Sequence, residues 1–378
     1  MRKLMRFRRG LSWRFGVALL AFGLTIPTVR AAREDASASA LHSAAIAVKA
    51  PQKVFLCAIA RAGDRLVAVG DHGVIIYSDD NGSTWRQATV PVSAELTAVN
   101  FASPRDGWAV GHYGVILHTR NGGTTWHLQL DGLQANQLTM AAAQAATADH
   151  DPSPGTPLAL KRAARLVADG VDHPFLTIWT PSVDKAMAFG AYRMADKTTD
   201  AGKTWTDESL SIDDPYSQHI YDAANIGGDV YLAAETGLVF RSTDGGNHFT
   251  QVTQPVHATL FGVLGATDGG ILVYGVAGQV FLSEDRGQSW SAVPIATTSN
   301  FTAAAKLRNG ALLLGGEDGT LYLSTDNGHN FRALAGVKAM GIFGLSQAES
   351  GDIIAVGNAG VMKIPSADLE QHQGKPNG

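Results

Sequence analysis

The sequence predicts an all-β fold, a seven-bladed β-propeller. Three observations carry this. A pattern of about 41 residues recurs along most of the chain, each copy holds four short alternating strands, and each complete copy ends in a polar box closed by an aromatic. The copies read GDHGVIIYSDDNGSTW at 70–85, GHYGVILHTRNGGTTW at 111–126 and GAYRMADKTTDAGKTW at 190–205. They continue as AETGLVFRSTDGGNHF at 234–249, GVAGQVFLSEDRGQSW at 275–290 and GEDGTLYLSTDNGHNF at 316–331. A seventh starts at Gly357 as GNAGVMKI and stops before the box.

Within one repeat the strands are expected at Leu96–Phe101, Gly107–Val110, Val115–His118 and Thr125–Leu130. A single four-stranded blade cannot bury both faces, but a closed ring of blades can. The seventh unit has only three strands. The expectation is that Ala45–Lys49 supplies the fourth and closes the ring. The propeller then spans 45–365, followed by a disordered tail at 366–378.

The box aromatics Trp85, Trp126, Trp205, Phe249, Trp290 and Phe331 are spaced 41, 79, 44, 41 and 41 residues apart. The long interval marks an insertion at about 136–174, between blades 2 and 3. Leu138–Ala148 is alanine-rich, Asp151-Pro-Ser-Pro-Gly155 reads as a turn, and Leu158–Asp169 reads as a helix capped by Gly170. Its apolar stripe is expected from Leu158, Ala163, Leu166 and Val167, with Lys161, Arg162 and Arg165 on another side.

The boxes follow Ser/Thr-x-Asp-x-Gly-x-Thr/Ser/Asn-Trp/Phe, the Asp-box or BNR pattern. Their acidic position is held by Asp80, Asn121, Asp200, Asp244, Asp285 and Asp326. A carboxylate in a tight turn accepts backbone N–H bonds, glycine supplies positive φ, and the aromatic packs between blades. These residues are read as structural. A calcium role is disfavoured, because Asp79-x-Asn81-x-Ser83 lacks the glycine and terminal glutamate of an EF-hand.

Ahead of the repeats, Arg2, Lys3, Arg6, Arg8, Arg9 and Arg14 precede an apolar run from Phe15 to Ile26 and then Val29-Arg30-Ala31. This reads as a secretory signal peptide over 1–31, followed by an Ala/Ser-rich linker at 32–44. The run is short of the roughly 20 residues a membrane span needs. Cleavage removes seven of the 30 basic residues and none of the 34 acids, leaving a net charge of −11. An exported, periplasmic or secreted protein is expected, acidic and without a span after cleavage. Nucleic acid is an unsuitable partner. The single cysteine, Cys57, excludes an intrachain disulfide and any CxxC site.

In a blade, the turns between strands 2 and 3 share one face with the blade-to-blade connections. That face carries Asp71, His72, His112, Tyr113, Tyr192, Arg193, Glu235, Glu317 and Asp318. With Arg162 and Arg165 of the insertion, these are the candidate partner-binding residues. Arg193 stands where most repeats have glycine, so it is either strained or held by a contact. Blade 3 and the insertion are therefore the expected functional edge.

The stretch DGWAVGHYGVILHTRNGGTTW (106–126) resembles the photosystem II stability/assembly factor family of BNR-repeat propellers. The resemblance covers about residues 54–364. The insertion and DGVDHPFLTIWTPS (169–182) are similar to a bacterial branch outside photosynthetic organisms, whose genes often neighbour RND-type transporters. It implies a non-enzymatic scaffold or assembly factor for a membrane protein complex, an RND-type transporter being one such client, with no cofactor. The alternative is a sialidase-like glycoside hydrolase or carbohydrate-binding propeller. That reading requires an arginine cluster at the central pocket. Arg120, Arg241 and Arg286 stand beside the boxes instead. No HExxH, Gly-x-Ser-x-Gly or P-loop pattern occurs.

Overall fold

The computed structural model describes residues 39–148, 156–338 and 341–373. The signal-peptide segment 1–31 and the expected turn at 151–155 lie outside the described residues. Among the described residues no helix is long and apolar enough to cross a membrane.

Seven antiparallel sheets follow one another in chain order, six of four strands and the last of three. The innermost strands are Leu56–Ala62, Leu96–Phe101, Phe175–Ser182, Ile220–Ile226, Leu260–Gly265, Phe301–Lys306 and Ile342–Gln347. Each second strand is buried almost throughout, as in Gly107–Gly111 and Ile353–Gly357. The cores lie between neighbouring blades. In the repeat dissected above, the strands fall at Leu96–Phe101, Gly107–Gly111, Ile116–Thr119 and His127–Leu130, within two residues of expectation.

The boxes are wired alike. In the first, Ser78 Oγ donates to Asp80 Oδ1 at 2.8 Å, Thr84 N donates to Oδ1 at 2.8 Å and Thr84 Oγ1 to Oδ2 at 2.6 Å. Both carboxylate oxygens are spent inside the loop, which holds the Asp80 pKa down at about 2. Asn121 keeps the bond from Thr125 N at 3.0 Å, but its amide now donates to Thr125 Oγ1 at 2.8 Å.

Every box aromatic packs against the preceding blade. Trp205 meets Trp108 edge-on at 5.6 Å, and Phe249 meets Phe189 at 5.8 Å. Trp85 of blade 1 packs with Val361 and Ile354 of blade 7, so the first box seals the ring. By the same rule, the interface of blades 6 and 7 would need a seventh box, which the sequence lacks. There a C-terminal helix, Ser366–Gln373, inserts Leu369 among Leu313, Leu334 and Ile364.

Two expectations about the ends are corrected. Residues 45–49 do not add a fourth strand to blade 7. Ala45 N bonds Val90 O at 3.1 Å, and Gln87 Nε2 bonds Ile46 O at 2.6 Å, so this segment follows the outer edge of blade 1. Leu41, expected in a linker, is buried in the core of blades 1 and 2. At the other end, 366–373 is helical instead of a disordered tail. Ring closure rests on packing and on Arg61, which bonds Gln347 O at 3.2 Å and Glu349 Oε2 at 2.8 Å.

The insertion is a helical hairpin of α1 (Gly132–Ala148) and α2 (Thr156–Asp169). Helix α1 starts four residues earlier than the expected insertion boundary because Asp131 and Gln134 cap it reciprocally. Gln134 N bonds Asp131 Oδ1 at 3.0 Å and Asp131 N bonds Gln134 Oε1 at 3.1 Å. The buried stripe of α2 is Ala159, Ala163 and Leu166 at helical spacing, whereas Leu158 and Val167 are exposed. Asn136 Nδ2 ties the hairpin by bonding Leu166 O and Gly170 O at 3.3 and 2.7 Å.

Candidate functional site

The turns between strands 2 and 3 and the blade connections share one face, as the repeat arithmetic requires. Gly237 shows how tightly they meet. Its φ is +85°, and a Cβ there would lie 1.8 Å from Val256 O. The hairpin sits on the same face, with Gly132 against the Tyr113 carbonyl.

Each inner strand enters from this face and carries a β-bulge at its second residue. The pairing register slips there in all seven blades. A bulge re-aims the side chain it carries. The seven bulged residues, Cys57, Thr97, Leu176, Tyr221, Phe261, Thr302 and Phe343, all line a central channel of about 550 Å³. Three of them are aromatic. Tyr221 and Phe261 touch edge-on at 5.3 Å, and Phe55 supports Phe343 at 5.3 Å.

In the layer directly below this ring the residues are small, Ala58, Ala98, Thr177, Ala303 and Gly344, except at Asp222. Asp222 accepts N–H bonds from Ala223 at 2.8 Å and from Val263 at 3.0 Å. Burial nevertheless raises its pKa to about 6. Tyr274 reaches the same wall through a gap kept open by Gly262, where a Cβ would lie 2.1 Å from the phenol. Its pKa is raised by burial and by Asp222. Cys57 Sγ contacts Glu95 Oε1 at 3.5 Å, and burial with that carboxylate pushes the thiol pKa up. Glu317 completes the acidic lining. The lining includes no arginine or lysine.

From Tyr221 a run of rings leads outward beneath the hairpin. His219 stacks on Tyr221 at 6.3 Å, Tyr192 packs on His219 at 4.7 Å, and His173 meets Tyr192 edge-on at 5.3 Å. Glu235 Oε2 pairs with His219 Nδ1 at 2.8 Å. Arg165 lies over the Tyr192 ring at 5.7 Å and pairs with Asp169.

The structure therefore gathers Tyr192, Arg165 and Glu235 at blades 3 and 4. The other rim residues are dispersed. His72 Nδ1 pairs with Asp71 Oδ2 at 2.7 Å, and His112 packs on Tyr113 at 6.4 Å. Asp318 accepts Thr320 N at 3.1 Å, and Glu317 accepts Asn300 Nδ2 at 2.9 Å. No group of three or more His, Cys, Asp or Glu able to hold a metal occurs among the described residues.

One candidate contact, Arg162, is corrected, and the expectation that Arg193 is held by a contact is met. Arg162 is buried and donates to Tyr192 O at 2.8 Å and Ser209 Oγ at 2.9 Å. Burial lowers its pKa to about 10. It staples the hairpin to blade 3 instead of facing a partner. Arg193 does adopt positive φ, +60°, and is held there. Its N bonds Gln218 O at 2.8 Å and its Nη1 bonds Asp214 O. The long link after blade 3 folds around Asp214, which accepts Tyr216 N at 2.9 Å and Gln218 N at 2.6 Å.

The bulged ring, Asp222, His173 and His219 were not singled out from the sequence. A signal was present in the column that follows the residue opening each blade, which reads Cys, Thr, Leu, Tyr, Phe, Thr, Phe.

Fold and site together define a seven-bladed propeller with one recessed, aromatic and acidic channel mouth and a helical hairpin at its rim. Residues 79–145 match the family model described as Photosynthesis system II assembly factor YCF48, which bears out the family resemblance read from the repeats. No curated protein matches the sequence. Among solved structures, the chain is similar to "YCF48 bound to D1 peptide", with TM-score 0.60 and 16% identity, covering 85% of this chain and 99% of that one. YCF48 from Cyanidioschyzon merolae gives TM-score 0.59 at 13% identity, covering 82% and 96%. The WD40 β-propeller domain of Doa1 gives 0.57 at 10%, covering 85% and 95%. At these identities the likeness establishes the propeller fold.

Proposed function

We propose that this propeller is an exported, non-catalytic scaffold that binds a polypeptide segment of a client membrane protein complex at the channel face. The observation that carries the reading is the ring of seven bulged residues, which turns side chains of every blade into one recess. The similar propeller whose structure contains D1 peptide supports a polypeptide as the ligand class. Export rests on the basic, apolar and small-residue order of residues 1–31. An RND-type transporter as client rests on the resemblance of 106–126 and 169–182 alone.

The test is affinity purification of the full chain in mild detergent. The comparison is with Leu176→Arg on the channel wall and Asn247→Arg in a box on the opposite face. A membrane protein should accompany the wild type and Asn247→Arg, and be lost from Leu176→Arg. Recovery of no membrane protein, or equal recovery with both variants, overturns the reading.

A further inference from the structure

The channel mouth has a chemistry more specific than a generic protein-binding surface. Its rings are Tyr221, Phe261 and Phe343, presented by bulges. Its charge is of one sign, from Asp222 in the wall and Glu317 at the rim, and none of the lining residues is cationic. Asp222 is the only charged side chain in the layer below the rings, where other blades place Ala58, Ala98, Thr177, Ala303 and Gly344. Asp222 is half-buried in this wall, and the desolvation that raises its pKa to about 6 makes its ionised form oppose folding. No arginine or lysine of the channel wall compensates it. Aromatic faces attract cations through their quadrupoles, most strongly where water is excluded. A cation held among these rings meets the carboxylate behind them.

We propose that the mouth of the central channel receives a lysine or arginine side chain of the partner polypeptide, held between the aromatic bulge residues and Asp222. This rests on the reading of the channel face as a polypeptide-binding surface and names its chemistry. A polypeptide is favoured over a free amine because the site does not end at the channel. The ring run Tyr221, His219, Tyr192 continues outward to the hairpin, giving a strand's length of contact beside the cation pocket.

The test is fluorescence polarisation of three labelled heptapeptides, alternating alanine with lysine, with glutamate or with norleucine, on the full chain. Spermidine serves as competitor. The lysine peptide should bind at least tenfold tighter than the norleucine and glutamate peptides. Asp222→Asn, which keeps an acceptor for the backbone N–H groups, should remove most of that preference. Leu176→Arg, a channel-wall change that leaves Asp222 intact, should do the same. Wild-type circular dichroism and melting would confirm that both variants fold. Equal binding of the three peptides, or a lysine preference untouched in both variants, overturns the proposal. So does spermidine binding with no peptide binding. If the purified client binds the wild type but lysine peptides neither bind nor compete, the cation pocket fails while the scaffold reading stands.

Discussion

Replacing Arg162 with methionine should loosen helix α2 against blade 3 while leaving the propeller folded and α1 still tied by Thr139 Oγ1 to Asp207 Oδ2 at 2.7 Å. The guanidinium makes two bonds across that junction, to Tyr192 O at 2.8 Å and Ser209 Oγ at 2.9 Å. Hydrogen bonds to charged groups contribute about 1.5–3 kcal/mol each, so the gross loss is about 3–6 kcal/mol. Methionine retains much of the packing of the stem and removes the cost of burying a cation whose pKa burial has already lowered to about 10. A net loss of about 3 kcal/mol is taken, the lower end of that gross range. That corresponds to roughly a 150-fold rise in local opening. Hydrogen exchange of the α2 amides measures it directly. The control is Arg165→Met, on the same helix, whose side chain is 73% exposed. Exchange of α2 in Arg162→Met within threefold of wild type would refute the stapling role.

Gly237→Ala should cost about 3 kcal/mol or more, because its Cβ meets Val256 O at 1.8 Å at positive φ. Gly245→Ala, also at positive φ but with open space around it, should cost about 1 kcal/mol. Equal melting temperatures for the two would contradict the crowding argument. The box carboxylates Asp80, Asp200 and Asp285 have pKa values of about 2, below the ordinary value. Their stabilisation is therefore fully present above about pH 4 and lost as pH falls towards 2. Melts between pH 5 and 2 should show that decline, and a flat profile would contradict it. Asp222 has the opposite sign, since its folded pKa is raised to about 6. It favours the fold when protonated, and that contribution is lost as pH rises from about 4 through 6. Asp222→Asn should raise the melting temperature at pH 7 and not at pH 4. A lower one at pH 7 would sink the idea that this carboxylate is kept at the expense of stability.

The blades were legible in the sequence because a 41-residue period survives any change of surface residue, and the box aromatics mark each blade interface. The same rule explains the misplaced closure. Three strands in the last unit suggested a strand borrowed from the N-terminus. The missing element is the box aromatic of the blade 6–7 interface, and Leu369 fills its place. The insertion was legible as helical, but not its orientation. A buried and an exposed arginine look alike in sequence, so Arg162 and Arg165 were grouped although one is internal. Leu158 and Val167 were expected to be buried for their hydrophobicity, yet the small Ala159 and Ala163 allow the helices to approach. The channel ring was the least legible part. A bulge is a property of the register between two strands, and Tyr221 or Phe343 alone carries no sign of it.

A partner that fills the channel would be reported by the chain itself. Cys57, the only cysteine, is one of the seven bulged residues at the mouth. The rate at which a methanethiosulfonate reagent converts it to a mixed disulfide, the thiolate displacing methanesulfinate, can be followed by mass spectrometry at pH 9 with and without saturating lysine peptide or purified client. Occupancy of the channel predicts at least a tenfold slowing when the ligand is bound and no slowing in Leu176→Arg. An unchanged rate with ligand demonstrably bound would place the partner elsewhere on the propeller and overturn binding in the channel.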